Sequence, residues 1–152
     1  MRIQPFQVSL VDKTRKNLPR ALKKVEARSF FNIVKLHYGN PRLHYEVCVR
    51  GKERLVEVGL HFEADQETND ALLAYFNSHA LEIHAELGGR VEIEQWTNSW
   101  SRVHEFVPYE SLDAKLVDAL AQKLGQMITV LQPMLVQFEK QKPRRTRKPA
   151  RS

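Results

Sequence analysis

The sequence predicts an α+β domain in which helices pack on one face of an antiparallel sheet. Two observations predict it. The central part of the chain alternates apolar and polar residues with a period of two, and later segments repeat apolar residues at helical spacing. The expected order is helix, three strands, helix, two strands and long helix. Stacking the apolar face of each helix on the apolar face of the sheet would bury both.

The chain of 152 residues has the length of one domain. We expect that domain to cover residues 1–139. Residues 140–152 hold seven Lys/Arg, two prolines and no acidic residue, and they lack apolar periodicity. Such a composition cannot bury a core, so it predicts a disordered basic tail.

The N-terminal part predicts a helix followed by a strand. Pro19 suits the first turn of a helix over 19–29, and Leu22 and Val25 would lie on one side of that helix. Phe6–Leu10 alternates apolar and polar residues, which suggests an additional short strand. Phe30–Tyr38 is rich in β-branched and aromatic residues, which is typical of a strand.

The central hairpin has the clearest pattern. Leu43–Arg50 and Arg54–Ala64 both alternate strictly, which is typical of half-buried antiparallel strands. Gly51 supplies the backbone freedom that a tight turn needs. The polar faces of the two strands hold His44, Glu46, Cys48, Arg50, Glu57, Gly59, His61 and Glu63.

A second helix and a second hairpin follow. Asp65 is suited to cap the helix, and Gly88 is suited to end it. Val91–Trp96 and Trp100–Val107 then read as two strands around a short turn. Trp96 and Trp100 would flank that turn. There they either stack on bases or anchor a protein partner, or they cover the open end of the core or form a cross-strand aromatic pair.

The last helix predicts a subunit or partner interface. Ser111 is expected to cap this helix, and Pro133 to kink or interrupt it. Its apolar side continues to Leu131, Met134, Leu135 and Phe138. A stripe longer than the domain can cover favours a homodimer.

The net charge of +6 is distributed unevenly. Residues 1–30 carry +6, residues 31–139 carry −7 and residues 140–152 carry +7. The basic ends therefore predict contact with a polyanion, of which nucleic acid is the commonest inside cells. No aromatic residue interrupts the tail, so binding should be independent of sequence, although a tail that only aids solubility is the alternative. The candidate contacts are Arg20, Lys23, Lys24, Arg28, Arg144, Arg145, Arg147 and Lys148.

The cellular location is predicted from features that the sequence lacks. The N-terminus has no continuous apolar segment typical of a secretory signal, and no apolar run has membrane-spanning length. The single Cys48 cannot form an internal disulfide. We therefore expect a cytoplasmic protein without a membrane partner.

An enzymatic alternative rests on the polar face of the central hairpin. Glu46 and Glu57 would lie opposite or diagonal to each other, with His44 and His61 beside them, and paired carboxylates could hold a divalent metal as in nucleases. The order of elements also resembles the core of the PD-(D/E)xK nucleases. Those nucleases need an acidic residue, a spacer residue and then Lys on the third strand. Here that strand has only Glu57-Val-Gly and Glu63-Ala-Asp, so the Lys is missing. The weak catalytic candidates are thus Glu46, Glu57 and His61, and the alternative is a solvated face of mixed charge.

No cofactor or metal site is predicted from motifs. The sequence has no P-loop, Gly-x-Gly-x-x-Gly or Gly-x-Ser-x-Gly pattern. His79 and His84 are five residues apart, whereas a zinc-chelating helix places two histidines four apart.

Two further resemblances concern topology and local sequence. The order of elements is similar to that of the small dimeric chaperones of type III secretion. The segments 54–69, 82–88, 91–96 and 101–103 resemble an uncharacterised bacterial domain family that often accompanies restriction-type nuclease and DNA-associated regions. This similarity covers about residues 31–108. It implies an accessory, nucleic-acid-linked context and no catalytic residues.

Overall fold

A computed structural model describes residues 1–142, which form an α+β fold with one six-stranded antiparallel sheet. The strand order is β1-β2-β3-β4-β6-β5. Within the described residues, no helix combines the length and hydrophobicity needed to cross a membrane. The elements are α1 (Ile3–Asn17), β1 (Glu26–Phe30), β2 (Ile33–His37), β3 (Leu43–Arg50), β4 (Leu55–Phe62), α2 (Gln66–Ser78), α3 (Ala80–Leu87), β5 (Glu92–Gln95), β6 (Ser101–Pro108) and α4 (Ala114–Gln141).

The predicted packing of helices on one face of the sheet is confirmed. Strands β3 and β4 turn their apolar residues towards the helices, of which α4 contributes the most buried residues. A hydrogen bond ties the two layers together, since the buried Tyr45 hydroxyl donates to Gln132 Oε1 of α4 at 3.0 Å. The fully buried side chains that form the centre of this core include Phe6, Leu36, Leu60, Phe62, Phe76, Leu120 and Leu124.

The predicted N-terminal elements were wrong in position. Phe6–Leu10 lies inside α1, where Phe6, Leu10 and Thr14 are four residues apart and buried on one side. The predicted helix over 19–29 is instead a short 3₁₀ turn at Arg20–Leu22 followed by β1. Backbone pairing of β1 with β2 supplies the hydrogen bonds of this segment, and such pairing overrides weak local helix propensity.

The segment predicted as one strand, Phe30–Tyr38, is divided by a tight turn. Phe31 has a φ of +49° there, which ends β1 and turns the chain into β2. The Phe31 side chain is 89% exposed. In the β3–β4 turn the left-handed residue is Arg54, with a φ of +53°, and not the predicted Gly51.

The predicted helix boundaries were partly correct. Asp65 caps α2 by accepting a hydrogen bond from Thr68 N at 3.1 Å, and Gly88, with a φ of +96°, ends α3. Between them the single predicted helix divides into α2 and α3 at His79.

The last helix begins and ends later than expected. Asp113 and not Ser111 is its cap, because Asp113 Oδ1 accepts from Leu116 N at 2.8 Å. The helix continues through Pro133 without interruption and ends at Gln141, so residues 140 and 141 of the predicted tail are helical.

The apolar stripe of α4 is covered by its own domain. Leu131 and Leu135 are buried, and Phe138 packs against Tyr75 of α2 with ring centroids 5.4 Å apart. Val136 is the large apolar residue of this region that is exposed. The stripe therefore no longer argues for a homodimer, which stays a prediction.

Candidate functional site on the open face of the sheet

The face of the sheet opposite the helices holds a dense set of charged side chains. We call it the open-face cluster. Most of its members are buried although no helix of residues 1–142 packs on them, because they are covered by one another and by nearby aromatic rings. The cluster consists of His44 and Glu46 on β3, Glu57 and His61 on β4, Glu63 just after β4, Glu94 on β5, and Arg102 and His104 on β6.

Strand pairing explains why these residues meet. Strands β3 and β4 pair so that His44 lies directly opposite His61, with ring centroids 5.5 Å apart and nearly parallel planes. On the other side of β4, Gly59 pairs with His104 of β6. A Cβ atom at Gly59 would lie 2.4 Å from His104 Cβ, so only glycine permits this close approach of the two strands.

An ionic network crosses three strands. His61 Nε2 lies 2.5 Å from Glu57 Oε1, and Arg102 Nη1 donates to Glu57 Oε2 at 2.8 Å. Arg102 Nη2 also donates to Glu94 Oε1 at 3.1 Å, and His104 Nε2 lies 2.7 Å from the same oxygen. Each buried charge of the network is thus paired, as burial of charge requires.

The network shifts the pKa values of its members. Burial alone lowers the pKa of His61, but hydrogen bonds to Glu57 and Glu63 and the charge of Glu46 raise it to about 9. Burial alone raises the pKa of Glu57, but the hydrogen bond from His61 and the charge of Arg102 bring it below its usual value. These opposite shifts favour an ion pair of His61 with Glu57 at neutral pH.

The other end of the network behaves differently. Burial and the positive charge of Arg102 lower the pKa of His104, despite its contact with Glu94. Burial alone raises the pKa of Glu94, but the hydrogen bonds from His104 and Arg102 lower it. His104 is therefore a neutral partner of an ionised carboxylate at neutral pH.

Aromatic rings cover part of the cluster. The Arg102 guanidinium lies 4.7 Å from the centre of the Trp96 ring, and the His61 and Trp96 ring centroids are 5.7 Å apart in a T-shaped arrangement. Trp96 and Trp100 contact each other at 5.9 Å across the β5–β6 turn. Both are 38% exposed, so they combine the predicted cross-strand packing with an accessible edge.

The structure brings all three weak catalytic candidates, Glu46, Glu57 and His61, into the cluster. Glu46 and Glu57 lie diagonally, because Glu46 pairs with Gly59 and Glu57 with Cys48. The Glu57 carboxylate is engaged by Arg102 and His61. A nuclease-like use of Glu46 with Glu57 therefore stays a prediction without geometric support.

Sequence reasoning missed three members of the cluster. Glu94, Arg102 and His104 enter from a hairpin some forty residues further on, and no local pattern shows that β6 pairs with β4. Glu63 is predicted on the polar face but is not among the site candidates, although each strand of the central hairpin carries a His-x-Glu triplet, His44-Tyr-Glu46 and His61-Phe-Glu63.

Two residue groups offer donor atoms close enough to hold a metal ion. The first is His44, Glu46, His61 and Glu63, and the second is Glu92, Glu94 and His104; within each group the donor atoms lie within 4.8 Å of one another. His79 and His84 lie outside both groups: His79 Nδ1 contacts the Tyr75 carbonyl oxygen, and His84 Nε2 contacts the Val91 carbonyl oxygen.

Cys48 lies on the same face but is unsuited to nucleophilic chemistry. Burial and the neighbouring carboxylates of Glu46 and Glu57 raise the pKa of its thiol. A protonated thiol is a poor nucleophile.

The predicted nucleic-acid contacts lie elsewhere. Arg20, Lys23 and Lys24 are exposed in the turn after α1, and Arg28 is exposed on β1, with its guanidinium 5.7 Å from the centre of the Phe30 ring. The other predicted contacts, Arg144, Arg145, Arg147 and Lys148, lie outside the described residues.

Lys140, the first residue of the predicted tail, lines the same groove as Tyr38. A groove of about 410 Å³ is lined by residues of the β2–β3 region, among them Tyr38, and by Lys140 at the end of α4. The Tyr38 hydroxyl donates to the Leu22 carbonyl oxygen at 2.6 Å, inside the turn that carries Arg20 and Lys23. Tyr38 therefore links the turn that carries Arg20 and Lys23 to the groove that Lys140 lines.

No family model matches this chain, and comparisons with curated proteins and with solved structures give no significant match. The resemblance of residues 31–108 to a nuclease-associated bacterial domain family therefore stays a prediction.

Proposed function

We propose that this protein associates with nucleic acid without sequence preference, through a basic end. We define the basic end as Arg20, Lys23, Lys24 and the chain that continues from Lys140. The observation that supports the proposal is that Tyr38 donates a hydrogen bond to the Leu22 carbonyl oxygen and also lines the groove that Lys140 lines.

The charges of Arg20, Lys23 and Lys24 are exposed and available to a partner. Residues 13–25 contain six Lys/Arg and no Asp/Glu. No carboxylate of residues 1–142 forms an ion pair with Arg20, Lys23 or Lys24. Cations without an internal partner keep their full attraction for phosphate groups.

The negative net charge of residues 31–139 favours contact of a polyanion with the basic end. Residues 31–139 carry a net charge of −7. A polyanion would be repelled from this region and drawn to the basic end. Each phosphate contact releases condensed counterions, so affinity should fall steeply as salt is added. A cytoplasmic location, where nucleic acid is abundant, fits this proposal.

The test compares two charge-reversed variants of the full chain. One variant combines Arg20→Glu, Lys23→Glu and Lys24→Glu in the basic end. The matched control combines Lys52→Glu, Arg90→Glu and Lys115→Glu, which are exposed residues elsewhere, and has the same net charge. Binding to a short labelled DNA duplex is measured by fluorescence anisotropy between about 50 and 200 mM NaCl.

We expect the basic-end variant to bind more weakly. The slope of log K against the logarithm of the salt concentration should also become less steep, by about 0.9 for each phosphate that the variant no longer neutralises. The control should keep most of the slope of the unmodified protein. Equal reductions in both variants would show that only net charge matters and would contradict the proposal. Replacing Arg144, Arg145, Arg147 and Lys148 with Gln in the full chain tests the tail separately.

A further inference from the structure

We infer that His44, Glu46, His61 and Glu63 form a binding site for one divalent transition-metal ion such as Zn²⁺. This site is independent of the proposed nucleic-acid contact. Its four residues come from the two strands of the central hairpin and its exit.

The four side chains have a nearly twofold arrangement. Each strand contributes a His-x-Glu triplet, and antiparallel pairing places His44 directly opposite His61. Each glutamate then lies next to the histidine of its own strand and diagonal to the histidine of the other strand. Glu46 is buried and Glu63 half-buried, so two carboxylates and two imidazoles converge on one shielded point.

The distances between donor atoms match a tetrahedral site. His44 Nε2 lies 3.1 Å from Glu46 Oε1 and 3.7 Å from Glu63 Oε2, and His61 Nδ1 lies 3.3 Å from Glu63 Oε2. A tetrahedral ion with bonds of about 2.0–2.1 Å separates its ligands by about 3.3 Å. The remaining donor separations stay within 4.8 Å, so small side-chain movements would complete the tetrahedron.

The outer nitrogen of each histidine already has a suitable partner. His44 Nδ1 lies 3.0 Å from the Pro41 carbonyl oxygen, which can only accept, so Nδ1 carries a proton and Nε2 faces the carboxylates. His61 Nε2 faces Glu57, which Arg102 holds in place, and this leaves Nδ1 directed at Glu63. Metal-binding histidines almost always donate their second N–H to a carbonyl or carboxylate in this way.

The donor set indicates the class of ion. Two imidazoles beside two carboxylates suit zinc and its neighbours in the first transition row, whereas Mg²⁺ and Ca²⁺ prefer oxygen alone. Four protein ligands in a shielded place resemble a structural metal site more than a catalytic one, which keeps a position open for water.

The second residue group is less suitable. Glu94 Oε1 already accepts hydrogen bonds from Arg102 and contacts His104. A cation at this oxygen would lie close to the Arg102 guanidinium, which repels it. Glu92, the remaining member, is exposed.

The experiment titrates Co²⁺ and Zn²⁺ into the chelator-treated, dialysed full-length protein. We expect one Co²⁺ per chain, with the intense visible absorption of a tetrahedral site, and its displacement by Zn²⁺ but not by Mg²⁺. The double variant His44→Gln/His61→Gln should lose this signal. The double variant His79→Gln/His84→Gln removes two histidines elsewhere and should bind like the unmodified protein.

A positioning role for Glu57 gives a second readout. Glu57→Gln leaves all four ligands intact but weakens the partner of His61, so we expect about a 10- to 100-fold loss of Zn²⁺ affinity. If the histidine variants fail to fold, X-ray absorption of the Co²⁺-loaded unmodified protein decides, with two imidazoles and two carboxylates expected. Absence of stoichiometric binding, or binding that survives the loss of His44 and His61, would overturn the inference.

Discussion

His61 and Glu57 form a buried ion pair, with Nε2 and Oε1 2.5 Å apart and the residues only 1% and 2% exposed. The pair lies on the face of the sheet that no described helix covers. Its charges are balanced from the β6 side by Arg102 and from the β3 side by Glu46. The open-face cluster is therefore held together by electrostatics, in contrast with the apolar core on the other face.

The stability of the metal-free protein should fall as pH rises through the titration of His61. Its pKa is about 9 in the folded chain and about 6.5 when unfolded. A raised folded pKa contributes stability that is complete below pH ~6.5 and is lost by pH ~9. We expect the free energy of unfolding to decrease by up to about 3 kcal/mol over this range. Urea unfolding at a series of pH values, with a chelator present, measures it.

His61→Gln is the variant that isolates this contribution, and His79→Gln is its matched control. The first should flatten the curve between pH ~6.5 and ~9, and the second should leave it unchanged. An NMR titration of the His61 ring in the unmodified protein gives the pKa directly. A His61 pKa near 6.5 would contradict the prediction.

Removing the Arg102 guanidinium should destabilise the protein strongly. Arg102→Met removes the guanidinium that lies over the Trp96 ring, so Glu57 and Glu94 lose the cation that they share, although Glu57 keeps His61 and Arg50 beside it. Removing one partner of a buried ion pair costs up to about 3–5 kcal/mol. The double variant Arg102→Met/Glu57→Gln should recover part of this loss in chemical denaturation. If it is no more stable than Arg102→Met, the pairing with Glu57 is not the cause.

Gly59 should tolerate no side chain. In Gly59→Ala the new methyl group would lie 2.4 Å from His104 Cβ and 2.5 Å from the Val103 carbonyl oxygen, so β4 and β6 would have to separate. Overpacking of this kind costs about 1–3 kcal/mol or more. Gly89→Ala is the control, since nothing lies within 4 Å of its Cβ position. Thermal unfolding midpoints compare the two, and equal midpoints would contradict the predicted close approach.

The hydrogen bond between Tyr45 and Gln132 should contribute to the attachment of α4. Tyr45→Phe keeps the ring in the core but leaves the Gln132 oxygen without this donor. We expect a decrease of about 1–2 kcal/mol in the free energy of unfolding. Replacing both partners, as Tyr45→Phe/Gln132→Leu, should cost less than the two single changes together. Strict additivity in this double-mutant cycle would argue against the bond.

The sequence by itself determined the α+β class and the central hairpin. In Leu43–Arg50 and Leu55–Phe62 the alternation of apolar and polar residues is a local property with a period of two, so it places His44 and His61 on one face without further information. The Asp65 cap and the Gly88 stop were equally local, because the hydrogen bond and the backbone angle involve neighbouring residues.

Only the tertiary structure decided which elements the N-terminal segments adopt and which charges meet. Segment 26–30 becomes a strand because it pairs with β2, although its own sequence favours neither helix nor strand strongly. Glu57 meets Arg102, which lies forty-five positions further along the chain, because β4 pairs with β6. Such long-range pairing depends on the register of the whole sheet, and no short stretch of sequence contains that information.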